Sequence, residues 1–143
     1  NHLCFLLTDQ ELLFSGDHIM QGSTVVINPP DGDMKAYIES LQLLLRYDLR
    51  LIAPGHGEVM DDSRGVVEWL VNHRLKREAK VISGLQHTGR ASLNTLVKVV
   101  YDDVDESLHE MAKLSMSAHL IKLHQENRAL QHPDDETWEL VQI

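Results

Sequence analysis

Two short stretches of this 143-residue chain end an apolar run on a glycine and a side chain that can hold a metal. "LLFSGDH", residues 12–18, delivers Asp17 and then His18. "LIAPGHGEV", residues 51–59, delivers His56 between Gly55 and Gly57. A carboxylate can bridge two cations, and a neutral imidazole suits zinc. Ligands at strand ends are held by a rigid sheet, and glycine lets the backbone come close to a bound ion. Taken singly, Asp17 reads as a turn residue and His56 as a solvated loop histidine. Taken together, with these flanks, they read as two ligands of one metal site. A protein zinc site needs three or four.

The elements around them follow from pattern. "HLCFLL" (2–7) and "ELLFS" (11–15), split by Thr8-Asp9-Gln10, predict a β-hairpin. "STVVI" (23–27) is a strand or an extended loop, and "NPPDGD" (28–33) is dense in turn formers. Asp33 can cap a helix over about 34–47, and "LRLIAPG" (49–55) predicts a strand. Asp61-Asp62-Ser63 opens a long helix to about Leu85, with Val66, Val67, Leu70, Val71, Leu75, Val81 and Ile82 on its apolar side. Ser92 opens a second helix within 91–101. Residues 105–130 hold one or two more, with Met111, Leu114, Leu120, Ile121 and Leu123 as the buried face. The tail reads as strand, Pro133-Asp134-Asp135 turn, strand, with Trp138, Leu140 and Ile143 alternating with polar residues. Three helices and a hairpin in about eighty residues is the order of a winged helix. The element pattern changes near residue 62, so the expected domains are 1–62 and 63–143.

Composition bounds the function. At 43% hydrophobic the chain can build a core. No apolar run approaches the roughly 18–20 residues that cross a bilayer, so no membrane role is expected. Cys4 has no cysteine to pair with, reads as a small buried hydrophobe, and points to a reducing, cytoplasmic setting. The chain opens Asn1-His2-Leu3, without Met or a turn before the first strand, and is read as a piece of a longer protein. Net charge is −9, of which residues 1–62, with three basic and ten acidic residues, hold −7. That is a poor nucleic-acid footprint, although an acidic site can attract metal cations.

With these residues in view, the chain resembles the C-terminal portion of a metallo-β-lactamase-fold hydrolase. The Ser-Gly-Asp turn at 15–17 matches the segment supplying that superfamily's bridging aspartate, and Pro-Gly-His-Gly at 54–57 the one supplying its last histidine. "GSTVVINPPDGDM" (22–34), "HRLKREAKVI" (73–82) and "LHEMAKLSMSAHLIKLHQENRAL" (108–130) resemble the lactamase-β-like-2 branch, which appends a winged-helix domain. The fold class this implies is α/β: the C-terminal part of an αββα sandwich, then an α+β winged helix.

The resemblance implies a zinc-dependent hydrolase that uses metal-bound hydroxide at a pair of Zn2+ ions. Asp17 and His56 would be metal ligands and catalytic residues. The superfamily's His-x-His-x-Asp-His motif is not in this sequence, so the remaining ligands would precede Asn1. This chain alone is therefore expected to bind zinc weakly or not at all and to be inactive. The branch and superfamily leave the substrate open among esters, thioesters and the phosphodiesters of single-stranded RNA.

Two further histidines are candidate pocket residues: His18, next to the aspartate, and His73, which stands beside Arg74 with Arg77 and Glu78 one turn on. His73 is weighed against a role in an ion-pair network. His2 reads as structural, and His109, His119 and His124 as surface or partly buried. The alternative function is a winged-helix module that binds nucleic acid or regulates without catalysis. Its candidate recognition helix, about 115–127, offers Lys122 and the following Arg128 but also Glu126, and its wing carries Asp134, Asp135 and Glu136. DNA binding is not expected from such a surface. Homodimerisation is left open.

Overall fold

A computed structural model of the chain describes residues 2–141. These fall into two compact units, residues 2–25 with 36–74, and residues 26–35 with 75–141. Ile143, expected in the last strand of the final hairpin, lies outside the described residues.

In the first unit, β1 (Phe5–Leu7) and β2 (Leu12–Gly16) form the expected antiparallel hairpin around a 3-10 turn at Thr8–Gln10. β3 (Leu51–Pro54) lies parallel to β2 on its other side, giving the order β1-β2-β3. A parallel pair needs a crossover, and α1 (Met34–Leu44) lies within it. Residues 24–28 join no strand. Leu13 and Ile52 are buried along the sheet, as are Tyr37, Ile38 and Leu41 of α1. Phe5, Leu7 and Phe14 are exposed, and Phe5 pairs directly with Phe14, so one sheet face presents apolar side chains to solvent. Cys4 is half-buried and free, and burial pushes its thiol pKa up.

α2 (Ser63–Thr88) begins in the first unit and ends in the second. Its start is capped by Asp62, whose carboxylate accepts from Gly65 N–H. The buried stripe runs Val67, Leu70, Arg74, Glu78, Val81, Leu85. Leu75, expected on the apolar side, is 41% exposed. The helical period holds, but two of its inward positions carry charges, so counting apolar residues moved the stripe by one residue.

The second unit is built on a core of Val81, Leu85, Leu96, Val100, Met116, Leu120, Leu123 and Trp138. β4 (Ala91–Ser92) precedes α3 (Leu93–Val100), where Ser92 Oγ accepts from Thr95 N–H as the N-cap. A 3-10 turn leads into α4 (His109–Gln125), and β5 (Ala129–His132) and β6 (Thr137–Leu140) make the wing. The sheet order is β4-β6-β5, all antiparallel. Met111 and Leu114 are exposed rather than buried, because the stripe of α4 is Ala112, Met116, Leu120, Leu123 and the two lie beside it. His119, expected at or near the surface, is fully buried.

Arg77 shows how this unit binds its charges. Its guanidinium lies 4.2 Å over the Tyr101 ring, donates to Val100 C=O and pairs with Asp103. Among the described residues no helix is long and apolar enough to cross a membrane.

Candidate metal centre

The parallel register brings the carboxyl ends of β2 and β3 side by side, with Phe14 opposite Ala53 and Gly16 opposite Pro54. The turns leaving those ends are tied together, since Gly55 N–H donates to Gly16 C=O at 2.8 Å. Asp17 and His56 therefore meet: His56 Nε2 stands 3.3 Å from Asp17 Oδ1. Both side chains are open to solvent, at 74% and 52% exposure for His56 and Asp17.

That spacing has chemical content. Two donors on one tetrahedral zinc, each about 2.0–2.1 Å away, stand about 3.3–3.4 Å apart. A carboxylate oxygen and an imidazole nitrogen are also the donor types that zinc takes. The pair thus fits two corners of a zinc site. Among the described residues no group of three or more His, Cys, Asp or Glu side chains is placed to complete it.

The glycines are there because the turns are tight. A Cβ on Gly55 would sit 2.9 Å from Asp17 Oδ1 and 3.2 Å from the carbonyl carbon of Gly16. Gly57 has φ +93°, a left-handed conformation that side chains resist. Ser15, fully buried, closes the Asp17 turn: its hydroxyl donates to Ile19 C=O and its carbonyl accepts from His18 N–H.

His18 lies on this turn but faces α1. Its Nε2 is 2.9 Å from Ser40 Oγ, its carbonyl accepts from Tyr37 Oη, and its ring meets Tyr37 edge-on. Burial pushes its pKa down, and nearby His2 adds to the effect. Tyr37 is itself covered by Arg74, which is buried, lies 5.2 Å over the ring and donates to Val25 C=O. His73 lies on α2, half-buried, with its ring stacked on Trp69 at 5.2 Å.

Two residues at the site carried no functional signal in the sequence. His2 Nε2 accepts a hydrogen bond from Asp17 N–H at 2.9 Å, and Gln21 Oε1 accepts one from Glu58 N–H at 2.9 Å. Their partners lie 15 and 37 residues away, beyond any local pattern.

In the winged helix, the cations of the candidate recognition helix are engaged by carboxylates. Lys122 Nζ is 2.8 Å from Glu78 and 2.9 Å from Glu126, and Arg128 pairs with the same two residues. Arg90 pairs with Asp135 at the wing.

Residues 92–138 match the Beta-lactamase associated winged helix domain. Over 125 residues the chain is 33% identical to the Beta-lactamase-like protein 2 homolog of Drosophila melanogaster, covering 86% of this chain and 41% of that protein. Over 90 residues it is 30% identical to the Atrochrysone carboxyl ACP thioesterase of Aspergillus fumigatus, covering 63% of this chain and 27% of that one. A Beta-lactamase domain protein from Burkholderia ambifaria superposes with a TM-score of 0.80 at 21% identity, over 96% of this chain and 44% of its own. The fold is thus that of metallo-β-lactamase proteins, followed by their associated winged helix. Within that class the likeness is to the C-terminal portion of the lactamase-β-like-2 branch. The chain spans about two fifths of the length of the Drosophila relative.

Proposed function

We propose that this chain supplies Asp17 and His56 to the metal centre of a zinc-dependent hydrolase whose other ligands lie in a longer protein. The observation that supports this reading most is the 3.3 Å approach of the two donors at neighbouring strand ends. When bound, a zinc pair would polarise the scissile bond and lower the pKa of water. The residues of this chain hold the donors in place. His56 offers Nε2 and Asp17 offers Oδ1 from turns bound to each other through Gly55 and Gly16. The exposed Phe5, Leu7 and Phe14 face fits a sheet that a second layer covers in the complete fold.

Of the substrate classes open from the sequence, an acyl thioester draws support from the likeness to the A. fumigatus thioesterase. RNA or DNA binding by the winged helix draws none, because Lys122 and Arg128 face carboxylates. At low salt, this chain is expected to leave a labelled oligonucleotide at its free mobility. A salt-sensitive shift in a gel would reverse that assignment.

The function is tested on the full-length protein by zinc content and a panel of ester, thioester and single-stranded RNA substrates. Asp17→Ala and His56→Ala are each expected to lose bound zinc together with hydrolysis. Full zinc and full turnover in both variants would remove the reading.

A further inference from the structure

Both metal donors sit on turns that the chain must hold open at backbone level. Gly16, just before Asp17, has φ +52°, and a Cβ there would fall 2.2 Å from His2 Nε2. Gly57, just after His56, has φ +93°, and a Cβ there would fall 2.6 Å from Gln21 Cβ. In each case a side chain fills the space that the glycine leaves.

Those two side chains also make the polar contacts. His2 accepts the Asp17 N–H on Nε2. Its ring stacks over His18 at 6.4 Å, which sets its orientation. The Gln21 side chain grips the second turn once, its Oε1 accepting from Glu58 N–H, while the Gln21 backbone N–H donates to His56 C=O at 3.4 Å. Neither contact touches Oδ1 of Asp17 or Nε2 of His56, so both donors stay available.

We propose that His2 and Gln21 are positioning residues that set Asp17 and His56 at the spacing a shared cation needs. The inference rests on the reading of Asp17 and His56 as metal donors. Each of the two acts through the backbone of the donor's turn.

The test uses the full-length protein that carries this chain, with zinc affinity from chelator competition and amide exchange at Asp17 and Glu58 in the zinc-free form. His2→Ala and Gln21→Ala are each expected to weaken zinc binding about 10-fold, the lower end for outer partners of a metal ligand, since water reaches both hydrogen bonds. Exchange should quicken at Asp17 in the first variant and at Glu58 in the second. His2→Gln supplies an acceptor oxygen in place of Nε2 and Gln21→Glu keeps one, so both should recover most of the affinity, which a merely structural role would not predict. Unchanged affinity in both alanine variants, beside loss of zinc in Asp17→Ala, overturns the positioning role and leaves the donors standing. Zinc retained in Asp17→Ala and His56→Ala removes both.

Discussion

Glu78→Ala is expected to lower the free energy of unfolding by about 3–5 kcal/mol, the usual result of removing one partner from a buried ion pair. Glu78 is 6% exposed and faces Lys122 Nζ at 2.8 Å, Arg128 at 3.3 Å and the fully buried His119 ring at 3.7 Å. Without the carboxylate, Lys122 remains buried with Glu126 as its acidic neighbour on the same helix. Burial alone would raise the Glu78 pKa, but His119 and Lys122 outweigh it and hold the group at about 2, against 4.5 for a free glutamate. A depressed carboxyl adds stability above its unfolded pKa and loses it as pH falls through the folded one. The wild-type protein should therefore lose stability between pH 4.5 and about 2, by about 3 kcal/mol from this group. Glu78→Gln should lack that component. Urea titrations of the two proteins across that pH range decide it, and parallel curves would show that the cluster does not control acid stability. Glu78→Leu combined with Lys122→Met should recover most of the loss, because apolar replacement of a whole buried pair is often neutral.

This cluster also marks where reading the sequence stops. The two turns that bring Asp17 and His56 together were legible because they follow a local rule: apolar run, glycine, then a polar side chain. The β1–β2 hairpin, α1, the long helix and the Ser92 cap were legible for the same reason, as each is encoded within a few residues. Arg74 and Glu78 broke the pattern by placing charges at inward positions of α2, which pushed the expected stripe onto Leu75. Met111 and Leu114 looked buried because they are apolar, yet the stripe of α4 passes beside them. The pairing of Ala91–Ser92 with Thr137–Trp138 joins residues more than forty apart, and the segment reads locally as helix. His2 and Gln21 belong with these. Their partners are backbone amides: the antiparallel β1–β2 register carries His2 to Asp17, and the parallel β2–β3 register carries Gln21 to Glu58.

A single methyl group at residue 55 should separate the site from the fold. In Gly55→Ala the new carbon would lie 2.9 Å from Asp17 Oδ1 and 3.2 Å and 3.4 Å from the Gly16 carbonyl and α carbons. Side-chain rotation can relieve the first contact. The 3.4 Å approach is ordinary contact, but the 3.2 Å one is to backbone held by the 2.8 Å bond from Gly55 N–H to Gly16 C=O, so its relief shifts one turn against the other by a few tenths of an ångström. Overpacking of this kind costs about 1–3 kcal/mol in stability. On the proposed reading of Asp17 and His56 as zinc donors, the larger effect in the full-length protein falls on zinc, because displacing Asp17 from His56 alters the donor spacing directly, and about a 10-fold loss of affinity is expected, on the order seen when a ligand's support is removed. Gly89→Ala supplies the contrast. Gly89 has φ +68° and nothing within 4 Å of a new Cβ, so it carries backbone strain without a clash. It should cost roughly 1–2 kcal/mol in stability and leave zinc affinity unchanged. If Gly55→Ala binds zinc as tightly as the wild type while Gly89→Ala shows its expected loss of stability, the two turns are not packed against each other as described, and the 3.3 Å donor spacing is not what sets the metal site.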